Sequence, residues 1–208
     1  MFATRRQSNQ RLGAAGVTTF VKACLACALG LVLGVWSSRA ILAYGAPFGV
    51  VDIGAWRVAA KAGSVDADPY TRAELERSGE IPLALGEGLQ LIARDDDAGR
   101  PLSARCVYRV GSQTPAARYW TLSVVDRQGA PIENAAGRYG FRSSEILRAG
   151  DGAFSIFVSA AAHAGNWLPI GAPEAFLLVL RLYDSPLSAT AGGIDRSTVP
   201  AIERIGCA

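Results

Sequence analysis

The sequence predicts a mainly β protein: a jelly-roll-like antiparallel β-sandwich with one or two short surface helices, preceded by one N-terminal transmembrane helix. All 18 acidic residues lie at or after Asp52, and residues 23–38 carry no charge. From residue 89 onward, short alternating or apolar segments are separated by turn residues. Both a helix start and a helix stop flank residues 69–78. The length of 208 residues suits one domain plus an anchor.

The acid-free N-terminal stretch predicts a membrane anchor. Residues 17–38 have Lys22 as their only charge, and a helix of this length spans roughly 33 Å, enough to cross the hydrocarbon core of a bilayer. The basic residues before Asp52 orient the N-terminus to the cytoplasm. We expect a disordered cytoplasmic tail at 1–16, a signal-anchor at 17–40, a juxtamembrane linker at 41–49 and an exported β-sandwich domain at 50–208.

A cleaved signal peptide is the alternative for this segment. Ser38 and Ala40 suit the positions just before a cleavage site, but Arg39 lies between them and Trp36 lies upstream. The apolar run is also long for a signal peptide, so the uncleaved anchor is favoured. The predicted location is the inner (plasma) membrane in a single pass, with membrane lipid as a partner and the C-terminal domain in the periplasm.

The charge of the chain does not indicate a nucleic-acid partner. The net charge is +3, but without the five basic residues before Asp52 the chain has 16 Lys and Arg against 18 Asp and Glu. A nucleic-acid-binding protein carries its basic residues on the folded domain. The basic residues here are topology signals, and we expect no nucleic-acid binding.

The four cysteines divide between the two predicted parts. Cys24 and Cys27 lie in the apolar run, where a membrane helix lacks the exposed, electropositive setting of a reactive thiol. Cys106 and Cys207 lie in the exported part, and an even pair in an oxidising compartment indicates a disulfide. The alternative is two unpaired thiols, one in a strand and one on a frayed tail.

One face of the predicted membrane helix carries a small residue at every fourth position. Such a stripe lets two helices approach closely, which makes a homodimer the second partner hypothesis. Small residues are also common in membrane spans generally. The stripe consists of Ala26, Gly30, Gly34 and Ser38.

The exported part is predicted to begin with a strand near 50–58. Asp68 as N-cap, Pro69 in the first turn and Gly79 as stop then delimit a surface helix. A second helix, of one turn, is predicted at 143–148. Strands are predicted at 89–94, 102–110, 118–125, 153–159 and 176–183.

Several motifs in this part resemble a known bacterial family. They are YWTL followed by Asp126, then NAAGRY at 134–139, NWLP at 166–169 and RLY at 181–183. In this order they resemble the family called domain of unknown function 1214. The resemblance covers about residues 50–205 and is to a short, single-domain, membrane-anchored form. It implies a β-sandwich fold and an envelope location, and it implies no reaction.

The aromatic, arginine and asparagine residues of these motifs are the candidate binding residues. The favoured interpretation of the set is architectural: Trp120 fills the core, and Arg138 and Arg181 donate to backbone carbonyls of loops. The alternative is a ligand cleft, because such side chains can line a pocket, stack on a sugar ring or bind an anion, and a small molecule or a glycan is the ligand that this alternative proposes. The candidate cleft residues are Arg138, Tyr139, Asn166, Trp167, Arg181 and Tyr183.

No catalytic residue, cofactor or metal is predicted. His163 is the only histidine and has no carboxylate or cysteine at ligand spacing. The aspartates at 95–97 indicate a solvated hairpin turn, because the later ligands of a calcium loop are missing.

The favoured function is therefore a non-catalytic binding or structural module of the envelope. The alternative is a carboxylate-dependent hydrolase acting on an envelope substrate. Its candidate carboxylates, which no spacing groups into an acid/base pair, are Asp126, Glu133 and Asp184.

Overall fold

The structure is a computed structural model that describes residues 4–44, 49–59, 61–84, 86–112, 116–171, 173–186 and 194–207. The chain divides into two compact units, one ending at Gly45 and the other beginning at Ala46.

The first unit contains one long helix, α1, over Thr4–Tyr44. Its segment Val17–Ile41 is long and apolar enough to cross a membrane, with a mean hydropathy of 1.9. The large apolar side chains there are exposed, Phe20 at 70% and Trp36 at 69%. An exposed apolar helix of this kind is typical of a membrane span or a signal sequence. The exposed thiols of Cys24 and Cys27 are unpaired.

Helix α1 is longer than the predicted anchor at both ends. It begins at Thr4, within the segment 1–16 for which we expected a disordered tail, and the cytoplasmic placement of that segment stays a prediction. Arg, Gln, Ala and Leu favour helix there, and no proline interrupts the segment. The helix also continues through Tyr44 into the predicted linker. The small-residue stripe lies within α1, and the homodimer through it stays a prediction.

The second unit consists mainly of strands. In chain order the described elements are β1 Val50–Ile53, β2 Trp56–Ala59, α2 Pro69–Ser78, β3 Gly88–Ala93, β4 Cys106–Ser112, β5 Tyr119–Val125, β6 Gly140–Arg142, β7 Phe154–Ser159, β8 Asn166–Pro169, β9 Leu177–Tyr183, a 3₁₀ turn at Arg196–Thr198 and β10 Ala201–Cys207.

These strands form two sheets, which confirms the predicted mainly β fold. The larger sheet has the order β1-β2-β3-β9-β5-β6, and the smaller has the order β10-β4-β7-β8. Among the described strands, β7 and β8 pair in parallel and the other neighbours are antiparallel. The smaller sheet is therefore mixed, and the jelly-roll-like arrangement stays a prediction.

Both sheets contribute to one hydrophobic core. In β5 the residues Trp120, Leu122 and Val124 are buried, and the residues between them are only half-buried. This alternation produces one core face and one outer face. Trp120 from the larger sheet stacks on Phe154 from the smaller one, with ring centroids 5.1 Å apart. Trp120 is thus a core residue, and its strand presents a polar outer face.

Of three predicted elements, the helix α2 is confirmed by its caps and the other two are corrected. The carboxylate of Asp68 accepts hydrogen bonds from the backbone of Tyr70 and Thr71, and Gly79 ends α2 at φ 67°. The predicted strand near 50–58 is instead a hairpin of β1 and β2, because Gly54 turns the chain at φ 64°. The helix predicted at 143–148 is a turn, in which the Glu145 N–H donates to the Arg142 carbonyl at 2.9 Å.

The C-terminal strand β10 is held by a disulfide, which the sequence predicted, and by hydrogen bonds and ion pairs, which it did not. Cys106 and Cys207 form the predicted disulfide between β4 and β10. Earlier in β10, the Ile202 N–H donates to the Asp97 carboxylate at 2.8 Å. The Asp97 backbone N–H in turn donates to the Ile202 carbonyl at 3.0 Å. The 95–101 turn is therefore part of the attachment of the C-terminus.

Asp96 corrects the prediction of a solvated turn at 95–97. It is 2% exposed, and its carboxylate lies 2.9 Å from the Arg204 Nε and 3.0 Å from the Arg100 Nε. Burial by itself would raise the pKa of Asp96. The backbone N–H of Arg100 and the two guanidinium groups outweigh burial and hold the pKa of this carboxyl below its usual value.

Candidate functional site

A groove of about 580 Å³ opens on the outer face of the larger sheet. Its floor is formed by side chains of β5 and β9 that alternate with the core residues of those strands. Its wall is formed by the loop before β6, by β6 and by the turn after it. The lining residues are Thr121, Ser123, Arg181 and Tyr183 on the floor, and Ala136, Gly137, Arg138, Tyr139, Gly140, Phe141, Arg142 and Glu145 in the wall.

Asn134 shapes the loop that forms the wall. Its side-chain amide donates to the Arg138 carbonyl at 2.9 Å, and its side-chain oxygen accepts from the Arg138 N–H at 3.2 Å. Gly137 completes the turn at φ 60°. Gly140 then enters β6 where a Cβ atom would lie 2.7 Å from the Leu122 carbonyl oxygen, so a larger residue would disturb the pairing with β5. The loop consequently presents Arg138 and Tyr139 to the groove.

Two arginines of the wall share one carboxylate. The Arg138 Nη1 lies 3.5 Å from one oxygen of Glu145, and the Arg142 Nε lies 3.4 Å from the other. The Arg138 guanidinium also packs over the Phe141 ring at 4.5 Å from its centroid. Glu145 is the one carboxylate among the lining residues that the structure describes. The groove thus has more positive than negative groups.

A third arginine lies on the floor. Arg181 donates from its Nε to the Gln90 side-chain oxygen at 2.7 Å and lies 3.6 Å from a Glu80 oxygen. In the sheet register, Thr121 is paired with Arg142 on one side and Arg181 on the other. Since neighbouring strands are about 4.8 Å apart, the backbones of these two arginines are about 10 Å apart.

Two tyrosines supply aromatic surface to the groove. The Tyr139 hydroxyl donates to a Glu133 carboxylate oxygen at 3.1 Å, and this hydrogen bond together with the nearby negative charge raises the pKa of Tyr139. Tyr183 packs against Tyr119 with ring centroids 5.8 Å apart. Tyr139 is exposed and Tyr183 is half-buried, so both can contact a ligand that enters the groove.

The structure brings four of the six predicted cleft residues to the groove and leaves two elsewhere. Asn166 is buried in β8, where its side chain binds both backbone groups of Leu147 at 2.8 Å and the Ser155 carbonyl at 3.0 Å. The Trp167 indole N–H donates to the Ser159 carbonyl at 3.1 Å. Both residues therefore join β8 to its surroundings and do not line the groove.

The histidine and the aspartates considered above lie outside the groove. His163 is exposed and stacks on Phe157 at 3.6 Å between ring centroids. Asp126 accepts from the backbone of its own turn, and Asp184 lies 3.6 Å from Arg118. Among the residues that the structure describes, there is no group of three or more His, Cys, Asp or Glu that could hold a metal ion.

Sequence reasoning missed Arg142, Glu145 and Thr121. Arg142 could have been found from the sequence, because it follows Tyr139–Phe141 just as Arg138 precedes them. Thr121 lies on the polar face of a strand whose alternation was recognised. Only the pairing of β5 with β6 and β9 shows that these residues meet.

Residues 87–187, which include the groove, match the family described as "Protein of unknown function (DUF1214)". This matched part of the chain, 101 of 208 residues, resembles a DUF1214 domain. The family description names no activity, and no curated protein matches the chain.

Two solved structures resemble this protein. The VPA0106 protein from Vibrio parahaemolyticus has 20% identity and a TM-score of 0.55, over 68% of this chain and 36% of that one. An uncharacterized protein from Burkholderia cenocepacia has 22% identity and a TM-score of 0.37, over 69% of this chain and 45% of that one. This chain therefore spans less than half the length of either protein. The Vibrio structure supports the fold alone.

Proposed function

We propose that this protein is a non-catalytic binding module of the bacterial envelope, which holds a small molecule or a short glycan in the groove of its larger sheet. The observation that carries the proposal is the composition of the groove: Arg138, Arg142 and Arg181 with two tyrosines and the hydroxyls of β5 between them. Guanidinium groups donate in a fixed geometry, and tyrosine rings offer stacking surface. An open groove with these groups suits a polar ligand that carries a ring.

We also propose that α1 anchors the domain once in the inner membrane, with the domain in the periplasm. The exposed apolar segment of α1 and the absence of acidic residues before Asp52 support this location. The Cys106–Cys207 disulfide is consistent with an oxidising compartment. A signal peptide would export the same domain without retaining the helix. The mass of the mature protein in the membrane fraction distinguishes the two, since cleavage removes about 4 kDa.

A hydrolase is less well supported. Glycoside hydrolysis, for example, uses two carboxyl groups about 5–10 Å apart. Of the described groove-lining residues, Glu145 is the one acid, and it is already paired with two arginines. Asp126, Glu133 and Asp184 do not line the groove. A hydrolase would need a second carboxylate there, whereas ligand binding needs only the groups that already line the groove.

Binding is tested with the full chain in detergent micelles, by a ligand-observed NMR screen of neutral and acidic mono- and oligosaccharides and small metabolites. We expect hits whose affinity falls about tenfold or more in Arg181→Gln, because a hydrogen bond to a charged group contributes about 1.5–3 kcal/mol. The matched control is Arg109→Gln, since Arg109 is an exposed arginine of the smaller sheet that is paired with Glu203.

Two results would contradict the proposed function. One is a screen without any hit. The other is a set of hits whose affinities are unchanged in Arg181→Gln, or are lowered equally in Arg109→Gln. Turnover of a hit, seen as new product signals, would favour the hydrolase instead.

A further inference from the structure

We infer that the groove recognises its ligand through a carboxylate or phosphate group, which takes the place that the Glu145 carboxylate has between Arg138 and Arg142. This inference rests on the proposed function, because it concerns the ligand of the same groove. Glu145 would then be an internal substitute for the ligand's anion, and binding would exchange one anion for another.

The positions of the two arginines fit one anionic group. Arg138 and Arg142 face different oxygens of the same carboxylate, at 3.5 and 3.4 Å. A carboxylate from a ligand has the same two oxygens, and a phosphate offers oxygens at a similar spacing. Both guanidinium groups line the groove, so an incoming anion reaches them from solvent.

Glu145 is bound loosely enough to be displaced. Its side chain is 39% exposed, and both of its contacts are longer than the roughly 2.7–2.9 Å of a strong charge-assisted hydrogen bond. Exposed ion pairs of this kind contribute little to stability. Glu145 also lies in the turn after β6 rather than in the strand, so its side chain can swing away without breaking the pairing of the sheet.

The arginines have positions that do not depend on Glu145. Arg138 packs over the Phe141 ring, and its backbone is bound by the side chain of Asn134. Arg142 is the end of β6, in register with Thr121. The anion site therefore persists when Glu145 leaves it.

The size of the groove indicates what carries the anion. The hydroxyl-bearing residues Thr121 and Ser123 lie on the floor of the same groove, and the backbone of Arg181 is about 10 Å from that of Arg142 across β5. A sugar with one acidic group places its anion between Arg138 and Arg142 and offers its ring hydroxyls to the floor. The inferred ligand class is an acidic sugar: a uronic acid or a sugar phosphate.

The test uses the full chain in detergent micelles and three probes: galactose, galacturonate and galactose 1-phosphate. Arginine side-chain Nε–H signals, titrated by NMR, give both the affinity and the site. Of the two acidic probes, we expect the one with the higher affinity to bind about tenfold more tightly than galactose. It should also shift the signals of Arg138 and Arg142. Tight binding of one acidic probe alone identifies the source of the anion and supports the inference.

Two carboxylate variants separate displacement from other roles. In Glu145→Gln the acidic probes should bind about threefold to tenfold more tightly, because the competing anion is gone. The matched control is Glu203→Gln, which removes the carboxylate of an exposed pair with Arg109 on the other sheet. It should leave the affinity of each probe unchanged.

The outcomes distinguish this inference from the proposed function. Galactose that binds at the groove as tightly as the acidic probes, with no effect of Glu145→Gln, overturns the inference and leaves the groove as a binding site. Weaker acidic binding in Glu145→Gln also overturns it, because Glu145 would then assist binding. Absence of any shift at Arg138, Arg142 and Arg181 with all three probes overturns the inference, and it overturns the proposed function as well when the wider screen also gives no hit.

Discussion

The 95–101 turn and the 138–145 segment contain the same kinds of charged residue, yet they use them differently. Asp96 is 2% exposed and lies within 3.0 Å of two arginines, one of which reaches it from β10. Glu145 is 39% exposed and lies 3.4 Å or more from its two arginines. Burial makes the first cluster a structural connection between distant parts of the chain. Exposure leaves the second cluster open to exchange with a ligand.

Removing the charge of the buried cluster should have the largest effect. We expect Asp96→Asn to lower the free energy of unfolding by about 3–4 kcal/mol, because Arg204 and Arg100 lose their shared carboxylate. The measurement is urea unfolding of the full chain in micelles, followed by tryptophan fluorescence. Glu203→Gln removes a charge from an exposed pair, so it should change the free energy of unfolding by less than about 1 kcal/mol. Equal effects of the two variants would contradict the contrast between buried and exposed pairs.

The same carboxyl should make the wild-type domain sensitive to acid. The pKa of Asp96 is lowered in the folded state, so its contribution is fully present above the unfolded carboxyl pKa of about 3.9 and is lost as the pH falls through the lower folded pKa. Thermal unfolding from pH 6 to pH 2 should show the wild type and Asp96→Asn converging below about pH 4. Curves that stay parallel throughout would exclude this role for Asp96.

Loss of the disulfide, which also holds β10, should lower the free energy of unfolding by a smaller amount. Cys106 and Cys207 are 101 positions apart, and cross-links of this kind contribute about 2–4 kcal/mol. We expect Cys207→Ser to lower stability within that range while β10 stays paired with β4, since Asp97 and Asp96 still bind it. Hydrogen exchange at Ile202 is the measurement. Exchange there as fast as in an unfolded chain would show that the disulfide alone retains the strand.

The smallest effect on stability is expected in the groove. Glu145→Gln removes only long, exposed contacts, so it should change the free energy of unfolding by less than about 1 kcal/mol. The same urea unfolding measurement checks this. A loss as large as that of Asp96→Asn would mean that Glu145 supports the fold and is not exchangeable.

The sequence predicted those elements whose cause is local. The alternation in β5 and the caps of α2 depend on residues close together in the chain, and both are confirmed. Strands β6, β8 and β10 were missed. The first two have three and four residues, and β10 is stabilised by contacts with the turn at 95–101 and with Cys106, about 100 positions away.

The site was predictable to a similar extent. Motif residues identified Arg138, Tyr139, Arg181 and Tyr183, because arginine and tyrosine in turns and on strand faces indicate binding. The same reasoning could not separate them from Asn166, whose amide satisfies backbone groups of Leu147 and Ser155. Whether a polar side chain faces a groove or a backbone carbonyl depends on strand register, which the sequence does not specify locally.

The attachment of β10 also affects how the domain meets other copies of itself. Among the described strands, β10 is at one edge of the smaller sheet. Exposed edge strands are templates for intermolecular pairing and aggregation. Here the edge carries the exposed carboxylate of Glu203, and a bulge interrupts its register between Arg204 and Gly206. Charges and bulges both oppose the docking of a further strand. The contacts that hold this strand in place therefore also keep the edge of the sheet unfavourable for self-association.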